Sequence, residues 1–317
     1  MTSPSGGLRF AYGTNGFADH RLADALHVLS DIGYSGVSLT LDHHHLDPFA
    51  PGLAGRVREV RRTLDRTGLD VVVETGARYL LDPWHKHQPT LLTAEPDGRA
   101  RRLEMLRRAV DIAAELGAGV VHLWSGTATS GAAEAESWAR LVDGCSQVLR
   151  HAEIAGIDLG FEPEPGMLVC DLAGYRRLHT ELGAPPRFRL TLDIGHCQCL
   201  EPHPVTDCVA RAADQDRLAH VQIEDMRRGR HEHLPFGEGE IDFPPVLAAL
   251  SATGYGGLVS VELPRHSHAA TNTARRSLEF LRAAAVSAAA CVPSQDAPRA
   301  VATRDAPAGY STTGPSR

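Results

Sequence analysis

A short apolar strand, an amphipathic stretch closed by glycine, and then another short apolar strand: this unit recurs seven times along the chain. It narrows the fold more than any other feature. The strand candidates are LRFAYG (8–13), GVSLTL (36–41), LDVVVE (69–74), GVVHLW (119–124), IDLGFE (157–162), FRLTLD (188–193), LAHVQI (218–223) and GLVSVE (257–262). Between them, RLADALHVLSDIG, GRVREVRRTLDRTG, RRLEMLRRAVDIAAELG and SWARLVDGCSQVLRHAEIAG carry apolar residues at helical spacing and end on Gly33, Gly68, Gly117 and Gly156. Glycine there closes a helix in the left-handed conformation. FPPVLAALSATG begins with prolines in its first turn, where a missing N–H costs nothing. Parallel strands need helical crossovers. Eight of them in series predict a single (β/α)8 TIM barrel over residues 1–285. A doubly wound open sheet is the alternative, but no GxGxxG follows the first strand, which argues against its dinucleotide-binding version. After about residue 285 the chain becomes rich in Ala, Pro, Ser and Thr, so 286–317 reads as a disordered tail.

The chain has 317 residues, 43% of them apolar, which suffices for a large soluble core. No apolar run approaches the ~20 residues of a membrane span, and MTSPSGGLRF lacks a signal-peptide pattern. With six scattered cysteines and no CxxC pair, a cytoplasmic protein with reduced thiols is expected. A net charge of −7 argues against nucleic acid as a partner. Arginine carries almost all the positive charge, and Lys86 is the sole lysine.

The active site of such a barrel lies at the C-terminal ends of its strands. Those ends carry Glu74, His122, Glu162, Asp193, Gln222 and Glu262. In FRLTLDIGHCQCL (188–200) an apolar strand stops on Asp193, with His196 three residues later. A single carboxylate at such a point can simply cap the next helix, and Glu74 and His122 taken alone fit that reading equally well. Glu162, Asp193 and Glu262 each end an otherwise apolar strand, which capping alone does not explain. Carboxylates gathered at one mouth repel each other, and a divalent cation removes that cost. Oxygen donors suit Mg2+ or Mn2+.

GFEPE (160–164), LDIGH (192–196), AHVQIED (219–225), HLPFGEGEIDF (233–243) and VSVEL (259–263) are each weak signals, but together and in this order they are specific. Over roughly residues 8–283 the chain resembles the xylose-isomerase-like barrel superfamily. That group includes tagatose and psicose 3-epimerases, hydroxypyruvate isomerase, inosose dehydratase and endonuclease IV. The resemblance implies a metal held by Glu162, Asp193, Gln222 and Glu262. The third position reads HVQIED where many relatives read HVHIKD, and hydroxypyruvate isomerase is similar in having Gln there. An amide oxygen can ligate a hard cation, so one Mn2+ or Mg2+ is implied, with Zn2+ or Co2+ as alternatives. It further implies that Glu162 and Glu262 exchange a proton next to a substrate carbonyl, through a cis-enediolate. Same-face return would isomerise and opposite-face return would epimerise. His196 and His233 match substrate-contacting positions, and His220, deeper in its strand, reads as a core residue. Relatives imply a homo-oligomer by analogy.

Three loops add candidates for the substrate. TGARYLLDPWHKHQPTLL (75–92) offers Trp84 as an apolar sugar face, although a lid packed on its neighbours explains it as well. LDHHHLDPF (41–49) offers His45, since three consecutive histidines cannot all face one point. ELPRHSH (262–268) sets Arg265 just beyond Glu262. Arg227, Arg228 and Arg230 are equally explained as substrate-anion contacts or solvated charges. Cys197 and Cys199 read as small core or loop residues. The expected activity is metal-dependent isomerisation or epimerisation of a sugar, sugar phosphate or keto-polyol. The alternative is a dehydratase of a cyclitol or ketosugar on the same scaffold. An endonuclease is disfavoured by the acidic charge balance and by Gln222, and a chemically silent binding barrel by the complete carboxylate set.

Overall fold

A computed structural model describes residues 7–76, 78–128, 131–213 and 217–291. In chain order the barrel strands are β1 (Arg9–Gly13), β2 (Gly36–Thr40), β3 (Asp70–Glu74), β4 (Val120–Trp124), β5 (Asp158–Glu162), β6 (Phe188–Asp193), β7 (Leu218–Ile223) and, after a hairpin, β10 (Leu258–Val261). They close in the order β1-β10-β7-β6-β5-β4-β3-β2, and every pair is parallel. All eight strand candidates are present within a residue at each end. The helices are α1 (Leu22–Ile32), α2 (Leu53–Thr67), α3 (Pro96–Leu116), α4 (Glu134–Ala155), α5 (Leu172–Glu181), α6 (Ile194–Leu200), α7 (Val205–Ala213), α8 (Phe243–Ala252) and α9 (Ala270–Cys291). Their buried faces and the outward faces of the strands form one continuous core.

Three features depart from the sequence reading. α5, α6 and α7 are absent from that reading: each spans ten residues or fewer, although α5 and α7 bury residues at helical spacing. The loop after β7 folds back as an antiparallel hairpin, β8 (Asp225–Arg227) with β9 (Arg230–Leu234). The last helix runs to Cys291 rather than ending near residue 285, because AVSAAA is helix-favouring even though it lacks an apolar stripe. The rest of the expected tail, 292–317, lies outside the described residues. Among the described residues no helix is long and apolar enough to cross a membrane.

Alternate residues of a strand face the barrel interior. That face becomes polar toward the C-terminal ends: Leu258, Ser260, Glu262 along and just beyond β10; Val72, Glu74 along β3; and His220, Gln222 along β7, polar at both levels. Ala11, Val72 and Leu258, with Val120 against them, form the apolar floor. Next comes a polar layer. His220 Nε2 lies 2.8 Å from Ser260 Oγ and 3.2 Å from Ser38 Oγ, and Ser38 donates to Ser260 at 2.7 Å. Burial holds the His220 imidazole neutral, its pKa pushed down to about 3. It is therefore a packed core histidine, in line with its depth in the strand.

Candidate active site

At the C-terminal mouth the strand ends open into a cavity of about 520 Å³. Its lining includes Glu74, His122, Glu162, His196, Gln222, His233, Glu262 and Arg265. Asp193 lies beside it, with Oδ2 3.9 Å from His196 Nε2. The six strand-end residues thus converge, from segments far apart in the chain.

Asp193 caps the next helix and still leaves one oxygen unspent. Its Oδ1 caps α6 by accepting from the His196 N–H at 2.8 Å, while Oδ2 is buried with no hydrogen-bond partner. Glu162 shows the same division. Its Oε2 takes a 2.6 Å hydrogen bond from His122 Nε2, and Oε1 is left without a partner. Gln222 repeats it: Nε2 donates to Glu262 Oε2 at 2.8 Å and to Glu74 Oε1 at 3.2 Å, and Oε1 is unpaired. Glu262 Oε1 accepts from Asn15 Nδ2 at 3.1 Å. Buried polar atoms are ordinarily paired, so three unpaired oxygens on three converging side chains suggest a missing electrophile. The donor set is all oxygen, which fits a hard divalent cation. Glu162, Asp193 and His196 also offer ligand atoms within 4.8 Å of one another.

The electrostatics agree. Burial, aided by Glu262, pushes Glu74 up to about 8, and burial with the Glu164, Asp193 and Glu262 charges drives Glu162 well above the carboxylate range. Glu164 rises to about 8 by burial and by Glu262, and Glu262 itself is raised by burial. Asp193 is instead held low: burial opposes this, but the cationic His233 and the backbone N–H of His196 outweigh it. His233 goes up to about 10 against its own burial, because Glu224 sits 3.7 Å away. The His122 and His196 imidazoles are neutral, both pushed down to about 3 by burial. His196 Nδ1 donates to the Pro163 carbonyl at 3.2 Å, which leaves Nε2 as a lone pair, 3.0 Å from His231 Nε2. Crowded carboxyls with raised pKa values are what a cation site looks like before the cation is counted.

Two sequence-derived candidates are not brought to the cavity. His45 turns away and bonds through Nε2 to the His20 carbonyl at 3.2 Å, because the turn after β2 packs against the turn after β1. Trp84 is 86% exposed on its loop and does not line the cavity. The aromatic wall is Trp124 instead, with His87 stacked on it at 5.2 Å and the buried Arg102 guanidinium 4.3 Å from its ring. Arg227, Arg228 and Arg230 are also absent from the lining. The first two bond to the Glu238 and Gln198 carbonyls. Cys197 and Cys199 are buried in α6, as small core residues.

Several cavity residues escaped the sequence reading. Glu164 lies inside one of the motifs quoted above, so a signal existed, as it did for Glu224, which is buried and does not line the cavity. Asn15, in the short turn after β1, and His231 carried none. Lys86, the sole lysine, lines the mouth with Arg78 and Tyr79 from the loop that had been expected to shape the pocket.

Comparison with known proteins follows the same lines. Fructoselysine 3-epimerase of Shigella flexneri is 26% identical over 272 residues, covering 84% of this chain and 92% of that one. L-ribulose-5-phosphate 3-epimerase of Escherichia coli K12 is 27% identical over 199 residues, 62% of this chain and 68% of that one. A solved L-ribulose 3-epimerase structure superposes with a TM-score of 0.73 at 19% identity, covering 92% of this chain and all of that one, which speaks to the fold. The model of the xylose isomerase-like TIM barrel matches residues 26–284. With the closed eight-stranded barrel and the converging strand ends, that match across most of the chain places this protein in the xylose isomerase-like TIM barrel family.

Proposed function

We propose that this chain is a divalent-metal-dependent sugar isomerase or epimerase that moves a proton on the carbon next to a carbonyl. The observation that carries the reading is the set of unpaired, buried oxygens of Glu162, Asp193 and Gln222 beside Glu262 at one cavity. Glu162, Asp193, Gln222 and Glu262 would hold the ion, with Mn2+ or Mg2+ favoured by the all-oxygen set. When bound, it neutralises the carboxylate cluster and stabilises negative charge on the substrate oxygens.

The protein's own groups do the rest. Glu162 and Glu262 stand on β5 and just beyond β10, separated by β6 and β7, and so reach a substrate from different sides. One removes the proton and the other returns it. His122 holds Glu162 by Oε2 and so fixes the orientation of its carboxylate. Asn15 and Gln222 hold Glu262 from two directions. Trp124, its ring packed between other side chains, forms part of the wall, and the neutral His196 and His231 offer hydrogen bonds to hydroxyls. The names of the relatives point to ketoses and their derivatives as the substrate class.

The test uses ketoses, ketose phosphates, hydroxypyruvate and inososes in D2O with Mn2+ or Mg2+, followed by NMR. Deuterium should enter next to the carbonyl, and should stop doing so with chelator or in Glu162→Gln. Exchange accompanied by loss of a hydroxyl would move the assignment to a dehydratase. No exchange with any member of the panel would overturn the proposal.

A further inference from the structure

Glu74 ends β3 inside the barrel at 4% exposure, yet no step above needs it. Its Oε2 accepts from Thr40 Oγ1 at 2.9 Å, and its Oε1 accepts from Gln222 Nε2 at 3.2 Å. The same nitrogen donates to Glu262 Oε2 at 2.8 Å. A primary amide carries two N–H donors and one carbonyl acceptor. Both donors of Gln222 are therefore committed, one across the barrel toward β3 and one toward β10, its neighbour on one side. What remains for the oxygen is the β6 side, where Asp193 is its register partner. That oxygen is buried and unpaired, as are Asp193 Oδ2 and Glu162 Oε1. Turning the amide over would set its oxygen against two carboxyl groups and aim NH2 at the cation site. Glutamine's two faces are alike in shape and opposite in polarity, so a glutamine ligand needs something to choose between them.

Resting on the metal-site reading above, we infer that Glu74 is a positioning residue: it sets the amide of Gln222 so that the carbonyl oxygen, not the NH2, faces the cation. The clamp works while Glu74 is an acceptor only, as an ionised carboxylate is. Glu262 alone cannot do this work, since one acceptor leaves the second N–H unpaired in the core.

The experiment is a Mn2+ titration of chelator-stripped protein, read as free ion by EPR, with circular dichroism showing that each variant folds. Glu74→Leu should raise the Mn2+ Kd about 10–100-fold, and Glu74→Gln, whose amide can turn either face to Gln222, should fall between Leu and the wild type. In a Gln222→His background the amide is gone. Glu74→Leu should then shift the Kd by less than about threefold, and the spin echo of bound Mn2+ should gain an imidazole nitrogen. The inference is overturned if Glu74→Leu binds like the wild type, if the loss is equal in both backgrounds, or if Gln222→His adds no nitrogen. A wild type that binds Mn2+ while Glu74→Leu is silent sinks this inference alone. A stripped wild type that takes up no Mn2+ sinks the metal-site reading and the inference with it.

Discussion

Asp193 caps α6 with one oxygen and leaves the other unpaired, and Glu162 and Gln222 divide their polar atoms in the same way. This division makes the roles separable by mutation. Glu162→Gln keeps shape but removes the carboxylate that we propose as the base, so kcat should fall about 10²–10⁴-fold with folding unchanged. Steady-state kinetics beside a melting curve checks this. His122→Phe acts one step removed. It keeps an aromatic of similar bulk but deletes the 2.6 Å hydrogen bond that orients Glu162. The expected loss is about 10–100-fold in kcat with KM little moved, and a KM effect as large as the kcat effect would argue against an orienting role. Glu162, Asp193 and Glu262 could be picked from the sequence because each interrupts an apolar strand. Of the partners that hold them, His122 was visible as a strand end but its bond to Glu162 was not, and Asn15 was not visible at all, because a linear pattern carries no distances between strands.

The hairpin of β8 and β9 shows how a loop is made rigid enough to carry His231 and His233. Asp225 opens it, and its two carboxylate oxygens accept four backbone N–H groups: Met226 at 2.9 Å and Ile241 at 3.1 Å on Oδ1, Gly237 at 2.8 Å and Gly239 at 2.9 Å on Oδ2. A Cβ at Gly239 would overlap that carboxylate, which is the physical reason for glycine in GEG. Gly195 of LDIGH is constrained likewise, since a Cβ there would overlap Glu224 Oε1. Asp225→Ala strands four N–H groups and should cost roughly 2–4 kcal/mol, seen as a lower urea midpoint with an unchanged slope. Gly195→Ala should disturb Glu224 and His233 without unfolding the barrel. The strands and long helices were readable because their periods are local. The hairpin was not, because its strands are short and polar and their pairing is fixed by Asp225 reaching across the loop.

Gathering so many carboxyls at one mouth has a cost that pH should reveal in chelator-stripped protein. Glu74 and Glu164 sit at about 8 when folded, against an ordinary value of 4.5. Between those values the folded state holds more protons than the unfolded one, so stability falls as pH rises. The neutral His122, His196 and His220, at about 3 folded against 6.5, work in the opposite direction, but only below 6.5. Above 6.5 their contribution is complete. His233, at about 10, then joins the carboxyls in losing stability as pH rises. The melting temperature of stripped protein should therefore fall between about pH 7 and pH 8.5. Saturating Mn2+ should flatten that fall and add about 2.7 kcal/mol at a hundredfold excess over Kd. A flat or rising profile without metal would contradict the clustered-carboxylate picture.

Local order in the chain was enough for the barrel. Strand alternation and helix periodicity are short-range, and eight repeats of one unit leave few ways to bury their apolar faces. It was also enough for the strand-end donors, since a strand's end is a position along the chain. Closure of the barrel settled the rest. It brought Trp124 rather than Trp84 to the wall, turned His45 away, and set Glu74 against Gln222 across 148 residues. These outcomes depend on where side chains from distant strands meet at bonding distance, and on which polar atoms burial leaves unpaired, and neither quantity exists until the eighth strand pairs with the first.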